Sequence, residues 1–482
     1  MSDEPSLKDN SKQYQPVRTR TSPRRKKQQY PDGLPRPRRY WAVLTFMAVL
    51  IIVVLDSTMV NVALPNIAKS LNISPSHVVR VVIAYNITIV ITLLPFSAVA
   101  ERIGFRKLFG IGVGIFGAAS LAAAFSTSLS TLMMARIAQG IGASMLMCMF
   151  GGLVRNIYPL RRLAMGISLN ASVVGSTAVL GPTIGAWILA LASWPWIFLV
   201  NIPICLLTYF GVRFLPDVPR AGGRFDWKDA ALSVPTFGLV ILGLDIMGHM
   251  PFVALACIGA AYYFGRKLLD RSLRQRAPMV PVDLLRVVAI RYAVGASMLL
   301  FGAQMAAFVV LPFYFERVLN YSYTELGIVL GAWSVGTAAM APVAGFFSTR
   351  YSVAILCAIG GSGVAIGMLM ALVLPDNAFF GWFLLAMFIG GVGFGFFQTP
   401  NNRAMLASAP RNRSAAAGGL QAITRVFGQG VGTALVAMVF ALGGKYGPHL
   451  GMGVAIISAL AAVGVNIARH RNPAKDPEPE KQ

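Results

Sequence analysis

The sequence predicts an all-α membrane protein with about fourteen transmembrane helices, and three observations support this fold class. Of the 482 residues, 56% are hydrophobic and only 12% are charged, whereas soluble domains carry roughly 25% charged residues. The apolar residues form long runs, and about 20 such residues cross a bilayer as a helix. Most of the 42 Lys and Arg residues lie between these runs, on one predicted side of the membrane.

The first forty residues have a different composition from the rest of the chain. They contain eleven Lys or Arg and four acidic residues, with Pro, Ser and Gln throughout. They lack the short apolar core and cleavage site of a signal peptide. Residues 1–40 are therefore expected to form a disordered cytoplasmic tail. Contact with nucleic acid is one interpretation of such a tail, but beside a membrane span we favour anionic lipid headgroups as its partner.

The long apolar runs define fourteen predicted spans, in three groups. The first group of six is expected at 41–64, 78–99, 107–126, 130–153, 164–190 and 195–215. Two short spans follow, at 230–247 and 250–268. The last group of six is expected at 289–313, 325–347, 352–373, 379–400, 414–440 and 448–468.

The distribution of positive charge predicts the topology. An even number of spans places both termini on one side, and cytoplasmic loops of membrane proteins are enriched in Lys and Arg. With cytoplasmic termini, only Lys69, Arg80, Arg317 and Lys445 lie in outer loops or at the outer end of a span. We therefore expect a multi-pass protein of a bacterial inner membrane, and we attribute most of the net charge of +24 to topology rather than to an acidic ligand.

Reporter fusions test this topology. Fusions at Arg162, Arg274 and Arg411 should report the cytoplasm, and a fusion at Lys445 should report the outside, because of the charge bias of the loops. A periplasmic signal at Arg274 would remove the two short inserted helices from the predicted topology.

The two groups of six spans show signs of an internal duplication. Shifting the second group onto the first aligns Gly140 with Gly391, Gly142 with Gly393, Pro159 with Pro410, Arg162 with Arg413 and Gly181 with Gly432. Parallel repeats of this kind build transporters whose site near the membrane centre opens to each side in turn. The predicted organisation is a tail at 1–40, a six-helix half at 41–215, two inserted helices and a cytoplasmic linker at 216–288, a second half at 289–468, and a tail at 469–482.

Among the ionisable residues of the predicted spans we single out four, because a charge near a helix centre costs about 2.5 to 3.5 kcal/mol on insertion scales. Asp56 and Arg136 share a depth of about 10 Å below the outer surface, at 1.5 Å per helical residue. A carboxylate that binds a proton in one conformation and an arginine in another would couple proton movement to transport. A permanent ion pair that joins two helices is the alternative. Asp245 and Arg425 are further candidates, although Asp245 ends a short span and could reach interfacial water.

The fifth span contains small residues at close spacing. They are Gly175, Gly181, Pro182 and Gly185. Small residues let helices approach closely, and a proline removes a backbone hydrogen bond. Ordinary tight packing is the alternative to a functional motif.

These residues together resemble the fourteen-span drug:proton antiporters of the major facilitator superfamily. The stretch LDSTMVNVALP, from Leu55 to Pro65, is similar to the first-helix signature of that branch. The resemblance runs from about Trp41 to His470. It implies a major facilitator fold of 6 + 2 + 6 helices, with Asp56 as the proton-linked carboxylate and Asn61 as a nearby polar contact.

Further motifs carry the same resemblance. The loop from Ser97 to Lys107 is similar to the superfamily's cytoplasmic loop motif, although Ser97 replaces the usual Gly and Glu101 the usual Asp. The resemblance implies a latch between the halves that is formed by Glu101, Arg102, Gly104, Arg106 and Lys107. Arg136 and Gln139 match a fourth-helix motif linked to proton transfer, and Arg425 lies where this branch commonly has Arg. The small residues of span five match the fifth-helix antiporter motif, which favours export.

The resemblance implies a proton-coupled exporter of small amphiphilic compounds such as drugs, dyes and biocides. Its expected partners are membrane lipids and a small-molecule substrate, without nucleic acid, and it is expected to act as a monomer with a proton gradient in place of a cofactor. Whether a periplasmic adaptor is needed stays open.

Two other functional classes are alternatives. The first is a transporter of the same fold that carries a specific metabolite, siderophore or lipid. The second is a membrane-embedded enzyme, which the scattered four His and four Cys disfavour, because none has metal-ligand spacing. The charge of the substrate also stays open, since Asp56 and Asp245 suit a cation while Arg136 and Arg425 suit an anion.

Overall fold

The computed structural model describes residues 33–159, 162–216, 226–275, 280–348, 350–409 and 414–472, and these contain helices and no β-strand. The expected terminal tails fall largely outside the described residues. An all-helical fold is the arrangement expected when backbone polar groups must be satisfied inside a membrane.

The first group of predicted spans forms eight helices. They are α1 (Arg36–Ser70), α2 (Pro75–Ile103), α3 (Phe105–Ala124), α4 (Leu129–Met147), α5 (Phe150–Ile157), α6 (Leu163–Leu191), α7 (Trp196–Leu199) and α8 (Asn201–Gly211). The predicted fourth span is divided into α4 and α5, and the predicted sixth into α7 and α8. Serine side chains cap two of the helix starts: Ser74 precedes α2, and Ser128 forms a capping box with Thr131 at α4.

The described residues after α8 form eight further α-helices. They are α9 (Trp227–Ile246), α10 (Pro251–Leu273), α11 (Val288–Arg317), α12 (Tyr323–Phe347), α13 (Val353–Val373), α14 (Phe380–Ala407), α15 (Ser414–Gly443) and α16 (Gly447–His470). A capping box between Ser322 and Glu325 begins α12.

Eleven stretches of the described residues are long and apolar enough to cross a membrane. One of them, Ala417–His470, contains two helices, α15 and α16. The predicted spans at 130–153 and 164–190 are not in this set, and the apolar part of α6 is the shorter Ser176–Leu191. The protein is therefore a multi-pass membrane protein, while the count of fourteen spans remains a prediction.

The two halves repeat one packing pattern. In the first, α1 packs against α6 and α8, and α4 and α8 each pack against α3, while α2 packs against α4. In the second, α11 packs against α15 and α16, and α14 and α16 each pack against α13, while α12 packs against α14. Contacts of α1 with α11, α2 with α15 and α6 with α12 join the halves. Equivalent helices of the two halves therefore make equivalent contacts, as expected if one six-helix unit was duplicated.

The duplicated glycines occupy equivalent positions in this pattern. Gly140 and Gly391 lie against α2 and α12, Gly142 and Gly393 against α3 and α13, and Gly181 and Gly432 against α1 and α11. At Gly391 an added Cβ would lie 2.0 Å from the carbonyl oxygen of Trp333, so only glycine permits this approach. The aligned Pro410 and Arg413 lie outside the described residues.

The inserted helices α9 and α10 pack on each other, and α9 also packs on α2 and α15 at the boundary between the halves. Arg271 joins the ends of this hairpin, because its Nη2 lies 2.7 Å from Asp226 Oδ2 and its Nε 2.6 Å from Asp229 Oδ1. Burial alone would raise the pKa of Asp226, but hydrogen bonds from Arg271 and from the backbone amides of Asp229 and Lys228 hold it below its usual range.

Candidate functional site

Asp56 lies within α1 with its side chain fully buried. Arg136 of α4 donates a hydrogen bond from Nη1 to Asp56 Oδ2 at 2.6 Å. The other carboxylate oxygen, Oδ1, accepts from Gln139 Nε2 at 2.7 Å and from Asn201 Nδ2 of α8 at 2.9 Å. One ion pair and two amide donors therefore compensate the burial of this charge.

Gln139 joins the pair to a third helix. Its amide nitrogen also donates to Ser120 Oγ of α3 at 2.8 Å, and its amide oxygen accepts from Arg136 Nη1 at 2.6 Å. The depth match between Asp56 and Arg136 in the sequence thus corresponds to direct contact. Their role in proton coupling remains a prediction. We call Asp56, Arg136, Gln139, Asn201 and Ser120 the Asp56 network.

Tyr85 of α2 covers the arginine of the Asp56 network. The Cζ atom of Arg136 lies 4.0 Å from the centroid of the Tyr85 ring, within the range of a cation–π contact. Nε and Nη2 of Arg136 and the hydroxyl of Tyr85 are buried without a hydrogen-bond partner among the described residues. Such groups cost about 1–3 kcal/mol each when unsatisfied, so the network has capacity for a further partner such as water.

The charges of Asp56 and Arg136 balance each other. Protonation of Asp56 would remove the negative charge, and Arg136 would then be a buried cation without its counter-charge. Losing one partner of a buried ion pair costs about 3–5 kcal/mol.

The small residues of span five pack against the turn of α1 that carries Asp56. A Cβ added at Gly181 would lie 1.8 Å from Thr58 Oγ1, and one at Gly185 would lie 3.1 Å from the backbone of Met59. Pro182 lies within α6. The surroundings of Gly175 lie outside the described part of the chain. The close approach of α1 and α6 thus depends on at least two of the predicted motif residues.

Asn61 is separate from the Asp56 network. Its Nδ2 lies 3.4 Å from the backbone oxygen of Ser57 and 3.5 Å from Met305 Sδ of α11. Asn61, which was expected to be a polar contact near Asp56, therefore lies where the two halves meet.

A cavity of about 40 Å³ lies between the halves. Its walls come from α1, α2, α4 and α6 of the first half and from α11, α14 and α15 of the second. Ser57 and Thr58, which follow Asp56, contribute to the wall, and so do Tyr85 and Arg425. Tyr85 therefore faces the cavity and also covers Arg136, which places the Asp56 network directly behind the cavity wall.

Asp245 lies outside the network and has a cationic partner of its own. Arg80 Nε of α2 is 3.4 Å from Asp245 Oδ2, and the Asp245 side chain is 8% exposed. His77 and His249 stack beside this pair with ring centroids 5.9 Å apart. The carboxylate therefore joins the inserted helix α9 to α2 rather than projecting alone into interfacial water.

The predicted loop latch is described only in part. Gly104 separates α2 from α3 with a φ of 95°, a backbone conformation that favours glycine. Arg102 lies in the last turn of α2, and Arg106 and Lys107 lie in the first turn of α3. The side chain of Glu101 lies outside the described residues, so the latch remains a prediction.

Three members of the site were not predicted from the sequence. Asn201, Ser120 and Tyr85 hold or cover the Asp56–Arg136 pair. Asn201 follows the aromatic segment at the start of the predicted sixth span, where a lone amide in an apolar run was an available signal. Serine and tyrosine are common in membrane helices, so only their position near Asp56 distinguishes Ser120 and Tyr85.

The chain is similar to known transporters over most of its length. It is 39% identical to the uncharacterized transporter YebQ of Escherichia coli, over 92% of this chain and 99% of that protein. It is 29% identical to the riboflavin transporter RibZ of Clostridioides difficile, over 84% and 89% of the two chains. It is 28% identical to the multidrug efflux pump LfrA of Mycolicibacterium smegmatis, over 85% and 82%.

A solved structure shares the fold. The crystal structure of a bacterial homologue of the human lysosomal transporter Spinster, in an inward-facing and unoccupied conformation, superimposes with a TM-score of 0.68 at 13% identity, over 92% of this chain and all of that one. The family described as the Major Facilitator Superfamily matches residues 46–433 and 292–482. The chain therefore belongs to the Major Facilitator Superfamily and is a membrane transporter, not an enzyme.

Proposed function

We propose that the protein is a proton-coupled antiporter that exports small amphiphilic compounds, such as drugs, dyes and biocides, across a bacterial inner membrane. The Asp56 network is the observation that carries this proposal. A fully buried carboxylate that contacts an arginine and two amides, directly behind a cavity wall, is suited to exchange a proton while a substrate occupies the cavity.

Alternating access is supported by where the halves contact each other. Near the end of α1, Lys69 forms an ion pair with Glu316 of α11, and Asn66 donates to the hydroxyl of Tyr323 in α12 at 3.1 Å. Gly327 of α12 approaches α6 beside Ala186. These contacts close the halves together on the side of the membrane where α1 ends. Opening there would require them to separate, as rocking of one half against the other does.

The packing of α6 supports coupling between the proton site and the boundary of the halves. One face of α6 contacts α1 at Gly181, and another contacts α12 at Ala186. Movement of α1 on protonation of Asp56 would therefore be transmitted to the other half through a helix that touches both. We propose a monomer in contact with membrane lipids, with the proton gradient as its only energy source.

A specific metabolite is the second candidate substrate class. The similarity to the riboflavin transporter RibZ favours it, because that relative is as similar to this chain as the multidrug pump LfrA is. The same proton site and cavity would then serve a single compound rather than many.

Transport into inverted membrane vesicles tests the proposal. With an inwardly acidic gradient, vesicles that contain the protein should accumulate several unrelated compounds from a panel of ethidium, fluorescein and riboflavin. A protonophore should abolish the accumulation, because coupling requires the gradient. Accumulation of riboflavin alone would favour the second candidate. Accumulation that the protonophore leaves unchanged, or that equals that of vesicles without the protein, would contradict proton-coupled export.

A further inference from the structure

We propose that Arg425 binds an anionic group of the substrate, and that the transporter prefers aromatic anions to aromatic cations of the same size. The inference rests on the proposed function in one respect: it takes the cavity between the halves as the site that the transported compound occupies. It goes beyond the proposed function by naming the charge and the chemical class of that compound.

The charge that lines the cavity is positive. Arg425 of α15 lines the cavity and forms no hydrogen bond or ion pair with any of the described residues. The described residues of the cavity lining include no Asp or Glu. The nearby carboxylate of Asp56 is fully buried, and both of its oxygens accept hydrogen bonds from the network. A ligand in the cavity therefore meets a positive charge and no available negative charge.

The hydrogen-bonding groups of the cavity also favour an anionic ligand. Asn86 of α2 is 3% exposed, lines the cavity, and has an amide nitrogen without a hydrogen-bond partner among the described residues. The hydroxyl of Tyr85, also in the lining, is unpartnered in the same way. With Arg425, three side chains of the lining have donors that no described residue uses. A ligand that supplies acceptors, as a carboxylate does, would satisfy them.

The apolar walls indicate the rest of the ligand. Phe301 of α11 and Phe394 of α14 line the cavity and contact each other edge to face, with ring centroids 5.5 Å apart. Val53, Ile89 and Met147 add aliphatic and thioether surface. In this conformation the cavity holds about 40 Å³, below the roughly 300–1,000 Å³ of small-molecule sites, so an aromatic ligand enters it only after the halves move apart. The walls therefore suit an aromatic ring system whose anionic group reaches Arg425.

The electrostatics of a membrane interior make the preference for an anion strong. A charge that leaves water for the cavity loses its hydration, so an unpaired cation beside Arg425 would lose solvation and also be repelled. An anion loses the same hydration but gains a bidentate partner, because the guanidinium matches the geometry of a carboxylate. The same ring system should therefore bind more tightly as a carboxylate than as an ammonium ion.

Three naphthalene derivatives of matched size test the inference. The probes are 1-naphthoate, the uncharged 1-naphthamide and protonated 1-naphthylmethylamine. Binding to the full-length protein in lipid nanodiscs is measured by fluorescence polarisation, without a proton gradient. The wild-type protein should bind 1-naphthoate at least tenfold more tightly than the cation. A cation that binds as tightly as 1-naphthoate, or more tightly, would overturn the inference without the need for any variant.

Variants assign the preference to Arg425. Arg425→Gln should weaken 1-naphthoate binding at least tenfold and change 1-naphthamide binding little, because only the anion loses its counter-charge. Arg425→Lys should restore part of the affinity, since the charge returns without the bidentate geometry. Arg291→Gln, which removes an exposed arginine of α11, is the matched control and should match the wild type. Unchanged 1-naphthoate affinity in Arg425→Gln would refute the role of this residue.

The result is separable from the proposed function. Binding of 1-naphthoate that depends on Arg425, together with no proton-dependent transport of any probe, would support the inference and refute the antiporter. Proton-dependent export of ethidium with no binding of 1-naphthoate would support the antiporter and refute the inference.

Discussion

Asp56→Asn should abolish substrate-driven proton release and uphill export while leaving the protein in the membrane. An amide keeps the shape of the carboxylate and can still accept hydrogen bonds from Gln139 and Asn201, but it cannot exchange a proton. Proton release is measured with a pH-sensitive dye in proteoliposomes. Uphill export is measured in inverted vesicles with an imposed gradient. Asp56→Glu should keep part of both activities, because it retains a carboxylate one methylene further from α1.

A matched control distinguishes coupling from a general loss of charge. Asp270→Asn removes an exposed carboxylate of α10 and should couple as the wild type does. Wild-type proton-coupled export by Asp56→Asn would remove Asp56 from the mechanism and make Asp245 the next candidate.

A double variant separates lost coupling from lost stability. Asp56→Asn alone leaves Arg136 as a buried cation without a counter-charge, at a cost of about 3–5 kcal/mol. Asp56→Asn with Arg136→Met removes both charges and places a flexible thioether against the Tyr85 ring, which is a favourable contact. We expect the double variant to regain thermal stability in detergent and to remain uncoupled. Restored coupling in the double variant would show that Asp56 serves only to neutralise Arg136.

Gly181→Leu should block transport by holding α6 away from α1. Even a Cβ at this position would lie 1.8 Å from Thr58 Oγ1, so a leucine must displace one of the two helices. Overpacking of this kind costs about 1–3 kcal/mol in soluble cores. In this protein the overpacked contact would be with Thr58, two residues after Asp56. We expect normal insertion, reduced thermal stability, and export in vesicles below a tenth of the wild-type rate.

Two further variants sharpen this test. Gly114→Leu makes the same substitution in α3 at a position with no atom within 4 Å of the added Cβ, and it should transport normally. Gly181→Ala combined with Thr58→Gly removes the hydroxyl and Cβ that the new methyl group would meet, and it should recover part of the activity that Gly181→Ala loses. Export at the wild-type rate by Gly181→Leu would show that the close approach of α1 and α6 does not matter for transport.

The sequence allowed the Asp56–Arg136 contact to be predicted because a membrane restricts where charge can lie. Two ionisable residues at the same depth of neighbouring spans have few partners other than each other. Gln139 was identified through a motif, three residues after Arg136 and therefore on the same face of α4. Asp245 was identified on the same grounds as Asp56, yet it pairs with Arg80 at the boundary of the inserted helix. The depth of an ionisable residue in the membrane does not by itself show whether that residue lies inside the helix bundle or at its edge.

The sequence by itself determined the fold class, the duplicated halves and the positions of the costly charges. Each of these follows from the composition and spacing of residues along single helices, which the bilayer constrains strongly. Only the tertiary structure decided that Asn201 and Ser120 complete the carboxylate site, that Tyr85 separates it from the cavity, and that Arg425 faces that cavity without a partner among the described residues. These facts depend on how α1, α2, α3, α4, α8 and α15 rotate and pack against one another. Packing between helices is set by contacts distant in sequence, which no local pattern records.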